Sequence, residues 1–124
     1  MIKIDEFKNL VTSNADGTKR TELAVMPITV GDTLKITNIE PRDVNGTPFA
    51  AAISSDGNFI SANALLRRGN GINFQTTNLE QAAEKLYNAV KAAGGLTLKV
   101  AKVYRSESAS GYKRNNYCFE PKEL

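Results

Sequence analysis

The chain has no histidine, no tryptophan and a single cysteine in 124 residues. Without histidine, the commonest general base and the commonest metal ligand are both missing. Cys118 has no intramolecular partner, and a zinc site needs more Cys or His than exists. The expectation is a reducing compartment, with no cofactor and no metal. Cys118 stands between Tyr117 and Phe119 in a strand pattern, which reads as packing rather than nucleophilic chemistry. The thirteen acids are scattered, and no spacing recommends a two-carboxylate site from Asp32, Asp43 or Asp56. No enzyme is expected. No apolar run is long enough to span a bilayer, and Met1-Ile2-Lys3-Ile4-Asp5-Glu6 places acids where a signal peptide is apolar. A cytoplasmic, non-membrane chain follows from that reading.

What is present is a size suited to one domain with its own core and an uneven charge. The net charge is only +3. Lys99, Lys102, Arg105, Lys113 and Arg114 face the single acid Glu107 between residues 99 and 114, so this segment outweighs the whole chain. A concentrated basic patch on a near-neutral body suits a polyanion. The plainer explanation is a solvated hairpin whose lysines discourage edge-to-edge aggregation.

Along the chain, Ile4, Phe7, Leu10 and Val11 predict a short amphipathic helix, followed by a polar loop or arm over Thr12–Thr21. Thr33–Glu40 reads as a strand stopped by Pro41. Pro48–Ser54 is a second strand, with Phe49, Ala51 and Ile53 on one face. The Asp56-Gly57 pair predicts a hairpin into Phe59–Ala64. If Ile60, Ala62 and Ala64 face the core, Phe59 is left outside as a platform for stacking a base. Burial of Phe59 under the first helix or a loop is the commoner fate of such a residue.

Leu65–Gln75 reads as a connection. Its Gly69-Asn70-Gly71, beside Arg67 and Arg68, could offer backbone N–H groups to a phosphate, but the Lys-Ser/Thr of a phosphate loop is missing and loop turn chemistry is the better explanation. The clearest element is a helix over Leu79–Ala93. Asn78 serves as N-cap with Gln81 three residues on, an apolar stripe runs from Leu79 to Val90, and Gly94 ends it. A strand from Leu96 then alternates until strict continuation would bury Lys102 and Tyr104. Either a β-bulge near Ala101-Lys102 avoids that cost, turning Val103 inward and freeing Lys102 and Tyr104, or the strand outruns the barrel there as long hairpins do.

The element order is β-β-β-α-β-β, mainly β with one main helix. It predicts a five-stranded OB-fold barrel over residues 31–124, preceded by an N-terminal extension of residues 1–30 with a short helix. The run from Leu79 to Glu120, through AAEKLYNAVKAAGG, LTLKVAKVYR and SGYKRNNYCFE, resembles the second half of phage and bacterial single-stranded DNA-binding proteins. The chain departs from that family in lacking tryptophan and in having no long glycine- or glutamine-rich linker and no acidic, apolar-ended tail. A compact phage-type or plasmid-type version fits better than a host replication protein.

The resemblance implies sequence-nonspecific binding of single-stranded nucleic acid, with DNA favoured over RNA. Lys99, Lys102, Arg105, Lys113 and Arg114 would track the backbone, with Arg67 and Arg68 lining the groove. Phe59, Tyr104 and Tyr112 would stack bases. Self-association into an oligomer would add multivalency. The alternative is a non-enzymatic assembly protein, such as a small virion component, that uses the same barrel for protein contacts.

Overall fold

The computed structural model describes residues 1–14, 29–44, 46–67, 70–92, 94–107 and 113–124. The fold is mainly β with one main helix. In chain order the elements are α1 (Ile4–Asn14), β1 (Thr33–Val44), β2 (Thr47–Ser54), β3 (Phe59–Ser61) and α2 (Ala62–Leu66). Then follow β4 (Ile72–Asn73), α3 (Leu79–Ala92), β5 (Leu96–Glu107), β6 (Lys113–Phe119) and β7 (Lys122–Glu123).

Five strands form one antiparallel sheet in the order β3-β2-β1-β5-β6. Three consecutive strands run as hairpins, and α3 carries the chain back to lay β5 beside β1, which is a Greek-key order. Among the described residues the sheet does not close into the expected barrel. β3 and β6 stay at opposite ends of the sheet, and β4 pairs with β7 in a separate parallel ladder.

The reason lies just after β3. Ala62, Ala64, Leu65 and Leu66, expected as strand end and connection, are strong helix formers and turn into α2 after only three residues of strand. The backbone leaving α2 then runs beside the end of β6. Phe119 N donates to Asn70 O, Lys122 N to Gly71 O at 3.1 Å, and Leu124 N to Asn73 O at 2.8 Å. Gly71 fits there because its φ is +101° and a Cβ would stand 1.9 Å from the Phe119 carbonyl oxygen.

β1 continues through Pro41 to Val44 instead of stopping. β5 pairs with β1 only as far as Ile36, so among the described residues Pro41 has one strand neighbour, β2. An edge position tolerates the missing donor. A bulge between Ile36 and Asn38 keeps both Ile36 and Ile39 fully buried despite their odd spacing.

The helices cover one face of the sheet. Phe7 and Val11 of α1 and Ala83, Leu86 and Val90 of α3 are buried against Ile36, Leu98 and their neighbours. On β2 it is Ala50 and Ala52 that join this core; small side chains there let α1 lie close. Phe49 and Ile53 therefore fall on the opposite face. The N-terminal helix is part of the same core. Tyr87 Oη donates to Ile2 O at 2.9 Å, Phe7 packs 6.0 Å from Tyr87, and Lys8 reaches Glu84 at 3.1 Å.

Candidate nucleic-acid interface

On β5 the expected bulge is present: Val100 pairs with Phe119 and Lys102 with Cys118, leaving Ala101 as the extra residue. Up to Val100 the aliphatic side chains face the core. Past the bulge Val103 turns inward beside Tyr117, while Lys102 and Tyr104 share the outward face. Tyr104 is 41% exposed, and Lys102 Nζ lies 5.2 Å from the centre of its ring. The bulge thus relieves a lysine of burial and presents an aromatic ring with a cation beside it.

Opposite Tyr104 on β6 stands Asn116, a buried polar residue. Its Nδ2 donates to Tyr104 O at 3.5 Å, and its Oδ1 accepts from Nη1 of Arg67. Arg67, just past α2, is thereby held next to the β5–β6 hairpin across 49 positions of sequence. Lys102, Tyr104, Asn116 and Arg67 make one cluster.

The other expected contacts are distributed differently. Lys99 is exposed on the same strand but sits 3.6 Å from Glu120, an exposed pair that contributes at most ~1 kcal/mol. Arg105 is exposed and, one residue on from Tyr104, alternates to the other face of β5. Arg68 and Tyr112 lie outside the described residues, as do the side chains of Lys113 and Arg114. The backbones of those two pair with Glu107 and Ser106 at the far end of the hairpin.

Phe59 does lie on the face away from the helices, yet it is half-buried. Its ring packs 6.1 Å from Phe49, and the Arg42 guanidinium sits 5.8 Å from its centre. Arg42 also donates to Glu40 at 2.9 Å, and Glu40 accepts from Asn38 Nδ2 at 2.9 Å. Arg42 does not read as a partner of Phe59 because Pro41 reads as a strand end before it. The alternation of Asn38, Glu40 and Arg42 against buried Ile39 was the available signal.

The turn before Phe59 is fixed by Asp56. Its carboxylate accepts from Ser54 Oγ, from Asn58 N at 3.2 Å and from Asn58 Nδ2 at 3.1 Å. The Ser54 hydroxyl and then the Asn58 amide hold the Asp56 carboxyl below its ordinary value.

The register separates the two aromatic stations. Phe59 opposes Ile53, which opposes Asn38, whereas Tyr104 lies five residues beyond Lys99, the partner of Thr33. Discounting the two bulged residues, the offset along the strands is about eight residues, or roughly 25 Å. The aromatics share a sheet face but not a single site.

The described part of Gly69-Asn70-Gly71 shows turn chemistry, with Asn70 N donating to Arg67 O at 3.4 Å. Asn70 is buried, and its Nδ2 donates to Ala64 O at 3.0 Å and Leu65 O at 2.7 Å, closing the end of α2. Its Oδ1 accepts from Ile72 N at 2.9 Å. The segment braces α2 against β6.

No protein-family model matches this sequence, and no curated protein and no solved structure matches it either.

Proposed function

We propose that this chain binds single-stranded nucleic acid without base preference, on the sheet face built around Tyr104 and Lys102, as a non-enzymatic binding protein. In this reading the open Greek-key sheet is a variant of the OB barrel in which α2 and the β4–β7 ladder stand where barrel closure would be. The observation that carries the proposal is the bulge at Ala101. It sets an exposed ring and a lysine together on the most basic hairpin of the chain. A stacked base on such a ring contributes ~1–3 kcal/mol, and any base offers a π-face. Arg67 extends the positive surface past the hairpin edge. The Phe59–Arg42 station is a second, weaker contact for a strand long enough to reach it.

The test is fluorescence anisotropy of labelled oligo-dT against the purified chain at several salt concentrations. Affinity should fall steeply with salt, with log K against log[salt] losing about 0.7 in slope for each phosphate contact removed. Lys102→Ala should lower that slope, and Tyr104→Ala should weaken binding with the slope unchanged. Unchanged affinity in both variants overturns the site. Salt-insensitive self-assembly without oligonucleotide binding would point to a structural role instead.

A further inference from the structure

A cavity of about 520 Å³ opens between the end of α2 and the start of α3, a size common among small-molecule sites. Leu66, Ile72, Phe74 and Ala82 supply buried apolar lining. Arg67, Asn73, Thr77 and Asn78 supply the polar part, and among the described residues no carboxylate lines it.

The two carboxamides are polarised in one sense. Asn73 Oδ1 accepts from Gln75 N at 2.9 Å, and Asn78 Oδ1 accepts from Glu80 N at 2.9 Å and Gln81 N at 3.2 Å. A backbone N–H can only donate, so in both side chains the oxygen already serves as an acceptor within the chain, and the amino group is the donor each can offer a ligand. The Thr76 hydroxyl is already engaged with Gln81 and Asn78. The lining therefore offers donors, one hydroxyl and one cation around an apolar floor. Such a lining suits a flat ring bearing carbonyl oxygens joined to an anion, and it gives a cation no counter-charge. Arg67 belongs both to this wall and, through Asn116, to the Tyr104 cluster.

We infer that this cavity receives the terminal nucleotide of a strand lying across Tyr104, with its base on the apolar lining and its phosphate toward Arg67. The choice of a nucleotide rests on the binding function proposed above. It predicts an end preference that a groove alone does not have.

The test uses the full chain, isotopically labelled, titrated separately with thymidine monophosphate, thymidine and inorganic phosphate while backbone amide signals are followed. The monophosphate should move the amides of Gly71, Asn73 and Thr76–Leu79, and the two fragments should bind at least about tenfold more weakly. Asn73→Ala and Thr77→Val should each weaken the monophosphate about fivefold or more, with fold checked by the remaining amide pattern. In parallel, linear oligo-dT should bind more tightly than a circularised oligo-dT of equal length. Inorganic phosphate acting as strongly as the monophosphate overturns the inference in favour of a plain anion site. Oligo-dT that binds equally in linear and circular form, with the cavity amides unmoved, overturns it and leaves the groove standing. Monophosphate binding in the cavity without any oligo-dT binding overturns the groove, and with it the terminal-nucleotide role.

Discussion

Two places on one sheet face use the same residue types to different ends. At Tyr104 the ring is exposed and its cation Lys102 lies beside it on the outward face of the hairpin. At Phe59 the ring is half-buried on Phe49, and its cation Arg42 is tied to Glu40. The first pair has an open side for a partner. The second has satisfied most of its contacts within the protein, and an acid stands beside its cation. An aromatic near an arginine is therefore not equivalent to an aromatic near a lysine when burial and counter-charge differ. Burial makes the Phe59 station chiefly structural; exposure makes the Tyr104 station the place where a ligand can gain contact area.

The largest expected effect comes from breaking the brace that holds the Tyr104 side in place. Gly71→Ala forces either a positive-φ strain or a clash with Phe119 O, and β6 must move; a loss of about 3 kcal/mol or more is expected in urea unfolding. Oligonucleotide binding by the folded fraction should fall with it, since β6 pairs with β5 at Tyr104. Wild-type stability in that variant would mean the brace does not hold the hairpin.

The comparison itself is sharpened by truncating each ring. Tyr104→Ala should reduce oligo-dT affinity by ~1–3 kcal/mol while shifting stability by no more than ~0.5 kcal/mol. Phe59→Ala should do the reverse: a stability loss of roughly 1–3 kcal/mol in chemical denaturation, and a smaller loss of affinity. Equal effects of the two variants on both measurements would erase the distinction drawn between the stations.

A smaller effect is expected at the turn that carries Phe59. Asp56 has a carboxyl pKa below its ordinary value of 3.8 in the folded chain. Its stabilising contribution is therefore present above the unfolded-state value and is lost as pH falls through the folded value. Asp56→Asn should flatten the decline of melting temperature between pH 5 and strongly acidic conditions, without changing Tyr104-dependent binding at neutral pH. An unchanged acid profile would show that the turn carboxylate adds no pH-dependent stability.

Much of this was written in short-range patterns. The Asn78 cap accepts, through its side-chain oxygen, from the N–H groups of Glu80 and Gln81 as the spacing implied, although Gln81 is engaged through Thr76 rather than directly with the Asn78 N–H. The α3 stripe and the Asp56-Gly57 hairpin were equally legible, and the bulge at Ala101 is one of the two ways the sequence offered to free Lys102. The bulge is the instructive case, because the cost of burying Lys102 announces a register change that no propensity scale contains. Strand ends read less well. Pro41 was tolerated because its strand is an edge at that point, and Ala62–Leu66 left the sheet because alanine and leucine support a helix as readily as an alternating strand.

What the sequence determined by itself, then, is α3, the β5–β6 hairpin and the outward placement of Lys102 and Tyr104. Each rests on capping, periodicity or the cost of burying a charge, interactions that extend only a few residues. The tertiary structure alone decided which face of β2 the helices cover and that β3 would not reach β6. It also decided that Arg67 would meet Asn116 across 49 positions. Those outcomes depend on where separate elements pack. Small alanines admitting α1, and a glycine accepting the Phe119 carbonyl, acquire their meaning only once the other surface has arrived.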